Sequence, residues 1–292
     1  MPISHHSTLG SLGPVLVSIT IVLTALVYFR GWLSLRADSL SHIPTWRACG
    51  FATGLFLIWV AVASPPSALD HELLTAHMLK HLLLMTVAPP LIWLGEPLRA
   101  WLEGSPRLLR GRATAFPRPG TRTGLAVPEV CWLAAAAALI GWHIPPVFTL
   151  AMHSAGWHFV EQVSFLVTGL MFWWPVVQPW PNAPKSDLSM ILYLFLATLP
   201  CDVLSGLLVF CDRVVYSDYL SSSHLFGFTA LGDQQCAAAL MWTSVTVVYF
   251  VAGAILAMRL LSPQRSLDPK LMPAILHAKA ASANVQPGLE VF

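Results

Sequence analysis

Seven long apolar runs dominate the sequence and constrain its fold more than any other feature. Each contains roughly 17 to 25 residues, the length of helix that crosses a hydrocarbon core ~30 Å thick. Hydrophobic residues make up 56% of the 292-residue chain and charged residues only 10%, which is unlike a soluble domain. The sequence therefore predicts an all-α, polytopic integral membrane protein built as a seven-transmembrane-helix bundle. We place the spans near residues 14–30, 46–64, 73–94, 126–143, 155–177, 187–210 and 236–260.

The basic residues predict the orientation of this bundle. Short cytoplasmic loops carry an excess of Lys and Arg, so the segment between the third and fourth spans belongs in the cytoplasm because it contains Arg99, Arg107, Arg110, Arg112, Arg118 and Arg122. Alternation then places the N-terminus outside and the C-terminus inside. Residues 1–261 form the transmembrane domain, and residues 262–292 form a partly disordered cytoplasmic tail. The cations lie beside apolar spans, so the expected partner surface is the lipid bilayer and not nucleic acid.

The third span is unusual because it carries ionisable side chains at membrane depth. His77, His81 and Met85 follow one another at i, i+4 and i+8, which places two imidazoles and a thioether on one helix face. Ionisable residues inside a membrane are costly and indicate a functional site. Lys80 lies between the two histidines and would repel a cation unless it points away from them or is neutralised by Glu161, Asp202 or Asp233.

The remaining polar residues converge on the outer end of the predicted bundle. Imidazole ligands suit copper, zinc and iron, and a thioether favours Cu(I). Spacing alone leaves three alternatives open: a metal site, a polar structural network, and a proton or substrate pathway. Cys211 and Cys236 bracket the last outer loop, where free thiols are commoner than a disulfide. The polar residues of this end include His71, His143, His153, His158, Glu161, Cys201, Asp202, His224, Asp233 and Gln234.

A series of short motifs resembles the CtaG proteins of the caa3 type over roughly residues 14 to 260. Their order is His77-Met78-Leu79-Lys80-His81, Pro89-Pro90-Leu91, Gly95-Glu96-Pro97, Trp142-His143-Ile144-Pro145, His158-Phe159-Val160-Glu161, Phe172-Trp173-Trp174-Pro175, and Asp233-Gln234-Gln235 ahead of Met241-Trp242. The resemblance implies a factor of the bacterial plasma membrane that assists assembly of cytochrome c oxidase and formation of its copper centres. Its polar positions are His77, His81, His143, His158, Glu161, Asp233 and Gln234.

This chain departs from the family pattern at two places. Many relatives have His directly after the glutamate of the fifth-span motif, where this chain has Gln162. Small glycines commonly follow the Asp-Gln pair, where this chain has Cys236 and three alanines. The first departure removes one candidate ligand, and the second alters the packing of the seventh span.

The resemblance favours an assembly factor that binds copper, chiefly Cu(I), near its outer face and contacts an oxidase subunit. Such a protein needs no catalytic turnover. His77 and His81 would be ligands, His158 and Glu161 would complete or orient the set, and the remaining positions His143, Asp233 and Gln234 would close its mouth. One alternative is an intramembrane zinc hydrolase, in which a metal-bound water reacts and Glu161 or Asp202 is the general base. Another is a bis-histidine haem b protein.

Overall fold

The computed structural model describes residues 7–37, 43–105, 128–177, 187–220, 227 and 229–261. The arginine-rich segment from residue 106 onward, His224 and the predicted tail 262–292 lie outside these ranges. Over the described ranges the chain is helical and contains no strand. The α-helices are α1 (Ser7–Ala37), α2 (Thr45–Val62), α3 (Leu74–Leu82), α4 (Ala88–Leu94), α5 (Pro97–Gly104), α6 (Pro128–His143), α7 (Pro145–His153), α8 (Ala155–Val177), α9 (Asp187–Val209) and α10 (Ala230–Leu261).

Six helical segments among the described residues are long and apolar enough to cross a membrane. They are Gly13–Arg36, Thr45–Val62, Leu74–Leu94, Ala155–Val177, Leu188–Val209 and Ala230–Leu261. Their bounds lie within a few residues of the predicted spans at most ends. The exceptions are the first span, which ends six residues later than predicted, and α10, which begins six residues earlier. The all-helical, multi-pass prediction is therefore confirmed, whereas the orientation of the termini stays a prediction.

The predicted fourth span, 126–143, is the first arm of a bent pair. α6 ends at His143, and α7 begins at Pro145 after a bend of 77°. Proline has no backbone N–H to continue the hydrogen bonding of the preceding helix, so Pro145 and Pro146 start a new helix here. The bundle has seven spans only if this bent pair crosses as one.

Two hydrophobic cores share the third span. Leu74, Met78 and Leu82 pack in a core built by α3 and α6 to α10. Leu84 and Ala88 pack in a second core built chiefly by α1, α2, α4 and α5. The third span thus changes partners halfway along its length.

A π helix, Leu83–Val87, joins the two halves of this span. The Pro89-Pro90 pair follows it at the start of α4 and does not end the span, because the helix continues to Leu94. Gly169 of α8 packs on the π helix, where an added Cβ would lie 2.7 Å from the Cα atom of Met85. This close approach brings α8 alongside α3 and positions their polar residues together.

Two short 3-10 helices complete the described structure near the polar end of the bundle. Pro65–His71 connects α2 to α3, and Ser217–Tyr219 lies between α9 and α10. Tyr219 donates a hydrogen bond from its hydroxyl to the backbone carbonyl of Asp70, which ties the two connections to each other. Both therefore lie over the end of the bundle where α3, α8 and α10 begin.

Candidate metal centre

Five buried polar side chains meet at the end of the bundle where α3 and α8 begin. His77 and His81 come from α3, His158 and Glu161 from α8, and Asp70 from the 3-10 helix before α3. We call these residues the histidine–carboxylate cluster. Two overlapping triads, His77–His81–Glu161 and Asp70–His77–His158, each place their possible ligand atoms within 4.8 Å of one another. The spacings i, i+4 on α3 and i, i+3 on α8 bring each pair to one helix face.

Glu161 lies between the two histidines of α3 without a hydrogen bond to either. Its Oε1 atom is 3.5 Å from Nε2 of His77 and 3.4 Å from Nε2 of His81. Both ring nitrogens of each histidine and both carboxylate oxygens of Glu161 are buried without a hydrogen-bond partner in the described structure. A buried polar atom left unpaired costs ~1–3 kcal/mol. A metal ion between the three side chains would satisfy their facing lone pairs, so this donor set fits a metal.

The Lys80 ammonium is paired with Asp70, which the sequence prediction did not include. The counter-charge is none of the three carboxylates suggested by the sequence, Glu161, Asp202 and Asp233, because the Nζ atom donates to Asp70 Oδ2. Nε2 of His158 lies 3.1 Å from the same oxygen. Burial alone would raise the pKa of Asp70, but hydrogen bonds from His158 and Lys80 together with the Lys80 charge hold this pKa below its usual range.

Five imidazoles form a row from the surface into the bundle. The ring centroids are 5.2 Å apart from His71 to His158, 5.8 Å from His158 to His77, 4.3 Å from His77 to His81 and 6.1 Å from His81 to His143. Half of the His71 side chain is exposed, whereas the other four rings are buried. We call this series the histidine row, and it links the protein surface to the cluster.

His143 and Met85 lie beyond the cluster, at the inner end of the histidine row. His143 has its Nδ1 atom 2.6 Å from the Leu139 carbonyl and its Nε2 atom 3.3 Å from Sδ of Met78. Met85 lies on the π helix and lines a cavity together with His81 and His143. The structure thus places both residues beside His81, around a cavity that Glu161 does not line.

Asp233 and Gln234 lie in the first turn of α10, and not in the predicted loop before it. The Asp233 carboxylate accepts hydrogen bonds from the backbone N–H groups of Leu74 and Thr75, at 2.6 and 3.1 Å, and from the Thr75 hydroxyl. The α3 helix has Leu73 at its N-cap, which offers no side-chain acceptor, so Asp233 satisfies N–H groups that would otherwise be unpaired. Gln234 hydrogen bonds to the Val215 N–H and the Arg213 carbonyl. The structure does not bring these two side chains into the cluster.

Other polar residues of the predicted convergence have separate positions. His153 pairs with Asp218 at the surface, 2.9 Å from its carboxylate. Asp202 belongs to neither triad. Cys211 and Cys236 form no disulfide, so the sequence-based preference for free thiols over a bridge between them is confirmed. Gln162, which stands where many relatives have His, contacts Nε2 of His158 through its side-chain amide at 3.0 Å.

Asp70 is the site residue that sequence reasoning missed. It lies in the short connection between the second and third spans, ten residues before Lys80. A lysine near the start of a span needs a nearby counter-charge, and the connection that closes over that span end is the nearest source. The signal was therefore present, but the sequence alone does not show that a 3-10 helix turns this carboxylate inward.

Comparisons with known proteins agree with the motifs described above. The model of the cytochrome c oxidase caa3 assembly factor family (Caa3_CtaG) matches residues 26–262. Uncharacterized proteins of Mycobacterium bovis and Mycobacterium tuberculosis are each 22% identical to this chain over 245 residues. The match covers 80% of this chain and 37% of each relative, so the chain spans little more than a third of their length. No solved structure matches the chain significantly.

Proposed function

The chain belongs to the cytochrome c oxidase caa3 assembly factor family, and we propose that in this role it binds copper, as Cu(I), at the histidine–carboxylate cluster. Copper is the cargo of the protein, held for delivery to an oxidase subunit at the outer face of the bacterial plasma membrane. No catalytic turnover is part of this role. The proposal rests on the unpaired, mutually facing atoms of His77, His81 and Glu161.

The charges of the cluster favour a monovalent ion. The Lys80 ammonium already cancels the charge of Asp70. Glu161 then supplies one negative charge, and two neutral imidazoles supply none, so Cu(I) would form a neutral complex. A divalent ion would leave an uncompensated positive charge among fully buried residues, which is costly in a low-dielectric interior.

The histidine row supports a route for the ion between the surface and the cluster. Each imidazole is a suitable copper ligand, and neighbouring ring centroids are no more than 6.1 Å apart. An ion could therefore be passed between neighbouring rings without losing all of its ligands. In this reading the exposed His71 takes up or releases the ion, and His158 connects it to His77.

The two other functions suggested by the sequence are less well supported. Two histidines and one glutamate also form the ligand set of some catalytic zinc sites. The other carboxylate of the cluster, Asp70, is engaged by Lys80 and His158 and is thus poorly suited to act as a general base. The cavity beside His81 and His143 has a volume of about 40 Å³, far less than the several hundred Å³ of a typical cofactor pocket, and does not admit a haem.

The experiment that tests the proposal is metal analysis of the detergent-purified protein after loading with Cu(I) or Zn(II) in separate preparations. We expect the His77→Leu/Glu161→Gln variant to lose about one copper ion per chain relative to the unaltered protein, because two of the three ligands are gone. The control is His153→Asn, which removes an exposed histidine paired with Asp218 and should retain all copper. Unchanged copper in the double variant would contradict the ligand assignment, and stoichiometric zinc with no copper would favour the hydrolase.

A further inference from the structure

The cavity beyond His81 is lined by an unusual set of soft donor atoms. Met78 of α3, Met85 of the π helix, Cys201 of α9 and Met241 of α10 contribute sulfur, and His81 and His143 contribute imidazoles. We propose that this cavity is a second copper site, specific for the soft monovalent ion and separate from the histidine–carboxylate cluster. The proposal rests on the proposed function only for the identity of the ion.

His143 is oriented as a ligand of this cavity. Its Nδ1 atom lies 2.6 Å from the Leu139 carbonyl, which only accepts hydrogen bonds, so the proton of the neutral ring is on Nδ1. The Nε2 atom therefore carries a lone pair, and a hydrogen bond to a backbone carbonyl is the usual way in which a metal-binding histidine is oriented.

The close contact between His143 and Met78 is not a hydrogen bond. Nε2 of His143 and Sδ of Met78 are 3.3 Å apart, and with the proton on Nδ1 both atoms present lone pairs to each other. For zinc, the usual bond lengths are ~2.0 Å to nitrogen and ~2.3 Å to sulfur. With bonds of these lengths to one ion, two atoms at this separation would form a ligand–metal–ligand angle of about 100°. The pair thus has the spacing of two adjacent ligands of a single metal ion.

The size of the cavity and its remaining lining restrict the occupant. A volume of about 40 Å³ exceeds the ~15 Å³ that a water molecule needs but is too small for an organic ligand. The other lining residues are mostly aliphatic and aromatic, so they offer water few hydrogen-bond partners. Thioether ligands select Cu(I) over harder divalent ions.

Cys201 can supply the charge that balances the ion. Its Sγ atom is 3.8 Å from the Ser205 hydroxyl and 4.0 Å from the Met241 carbonyl, so it makes only long contacts. On binding, the thiol would lose its proton to water and coordinate as a thiolate, since metal ligation by cysteine requires the deprotonated form. One thiolate and one Cu(I) ion together are neutral, which suits an apolar cavity.

His81 connects the two sites. One side of the residue faces Glu161 at 3.4 Å, and its ring is 6.1 Å from that of His143 across the cavity. An ion moving inward along the histidine row would exchange a carboxylate for sulfur ligands at this residue. The cavity would then hold Cu(I) more firmly than the cluster, because soft ligands prefer it.

X-ray absorption spectroscopy of the Cu(I)-loaded, detergent-purified protein tests the second site, with Ag(I) as an additional probe in metal analysis. We expect sulfur ligands in the unaltered protein. The Met78→Leu/Met85→Leu/Met241→Leu/Cys201→Ser variant, which removes all four sulfur atoms that line the cavity, should lose the sulfur signal and about one metal ion per chain. Met to Leu changes conserve volume. The matched control is Met190→Leu, which alters a buried methionine of α9 that does not line the cavity. Absence of sulfur ligands, or a sulfur signal unchanged in the quadruple variant, would overturn the proposal.

The His77→Leu/Glu161→Gln variant separates this proposal from the proposed function, because neither residue lines the cavity. If the cavity is a site, this variant retains the sulfur-bound ion. Copper bound only by nitrogen and oxygen in the unaltered protein would exclude the cavity and leave the cluster as the sole site. The opposite result is sulfur-bound copper together with a nitrogen and oxygen signal that the double variant does not change. It would exclude the cluster and leave the cavity as the sole site.

Discussion

The buried pair of Lys80 and Asp70 determines which charge remains available to a metal ion. Lys80 directly precedes His81 in the third span, and only 5% of the residue is exposed. Because it is held by Asp70, it does not neutralise Glu161. Lys80 therefore leaves the Glu161 carboxylate without a paired lysine.

Replacing Lys80 alone should destabilise the fold more than replacing both Lys80 and Asp70. We expect Lys80→Met to cost ~3–5 kcal/mol of folding free energy in the metal-free protein, because it leaves a buried carboxylate without its cation. The Lys80→Met/Asp70→Asn variant should recover a large part of this loss. Thermal unfolding in detergent measures the difference, and a double variant no more stable than Lys80→Met alone would show that the pair contributes little.

Among the helices, α3 depends on α10 for the hydrogen bonding of its N-terminus. Asp233 accepts hydrogen bonds from the N–H groups of Leu74 and Thr75, which precede His77 by three and two residues. The direction of α3, and hence the aim of its two histidines, is therefore set in part by a residue of the last span. Sequence reasoning identified Asp233 as a polar residue of the site but assigned it to the metal.

The structure predicts that Asp233→Ala weakens the fold and spares the metal site. Loss of a helix N-terminal acceptor typically costs ~1–2 kcal/mol, and the Asp233 carboxylate faces backbone N–H groups instead of the cluster. Thermal unfolding and copper content should be measured together, with Asp212→Ala, an exposed aspartate, as the control. A loss of copper at unchanged thermal stability would return Asp233 to the ligand set.

The contact of α8 with the π helix leads to a separate prediction. A Cβ on Gly169 would lie 2.7 Å from both the Cα and the carbonyl oxygen of Met85, so Gly169→Ala must push α8 away from the third span. Overpacking of this kind costs ~1–3 kcal/mol, and displacement of Glu161 should lower copper affinity as well. Gly141→Ala in α6 is the matched control, because a Cβ there meets no atom within 4 Å. Equal unfolding temperatures for the two variants would contradict this packing argument.

The sequence predicted the helices more completely than their internal breaks. Hydropathy located most spans to within a few residues, because membrane thickness fixes their length. It could not show that Leu83–Val87 is a π helix or that α6 and α7 meet at 77°. Both features depend on contacts with neighbouring helices, such as the one at Gly169, and apolar content alone does not report them.

For the molecule as a whole, the described helices place the cluster and the histidine row at one end of the bundle. Alternation along the chain predicted this convergence of His77, His81, His158 and Glu161, because it brings the starts of the third and fifth spans together. The same reasoning could not identify which of the nearby polar residues turn inward. Asp70 joins the cluster and Asp202 does not, and the difference depends on tertiary packing.

The orientation of the bundle in the membrane can be tested with thiol labelling. Cys211 follows α9 at the same end as the cluster, and Ser105 follows α5 at the opposite end. If the cluster faces outward, a membrane-impermeant maleimide should label Cys211 in intact spheroplasts, with the other cysteines replaced by serine. A Ser105→Cys variant without other cysteines should be labelled only after the membrane is permeabilised. The reverse pattern would invert the predicted topology.

The number of residues in the π helix sets the rotation of one half of the third span relative to the other. Each residue of an α-helix adds about 100° of rotation, so deleting one codon within Leu83–Val87 would turn His77 and His81 by that angle relative to α4. The first half of the span packs its residues Leu74, Met78 and Leu82 in one core, and the second half packs Leu84 and Ala88 in the other. After the deletion, both sets could no longer face their cores at the same time. Insertions and deletions in this segment should therefore disrupt the packing of one of the two cores, and the burial of Leu84 and Thr86 restricts substitutions there as well.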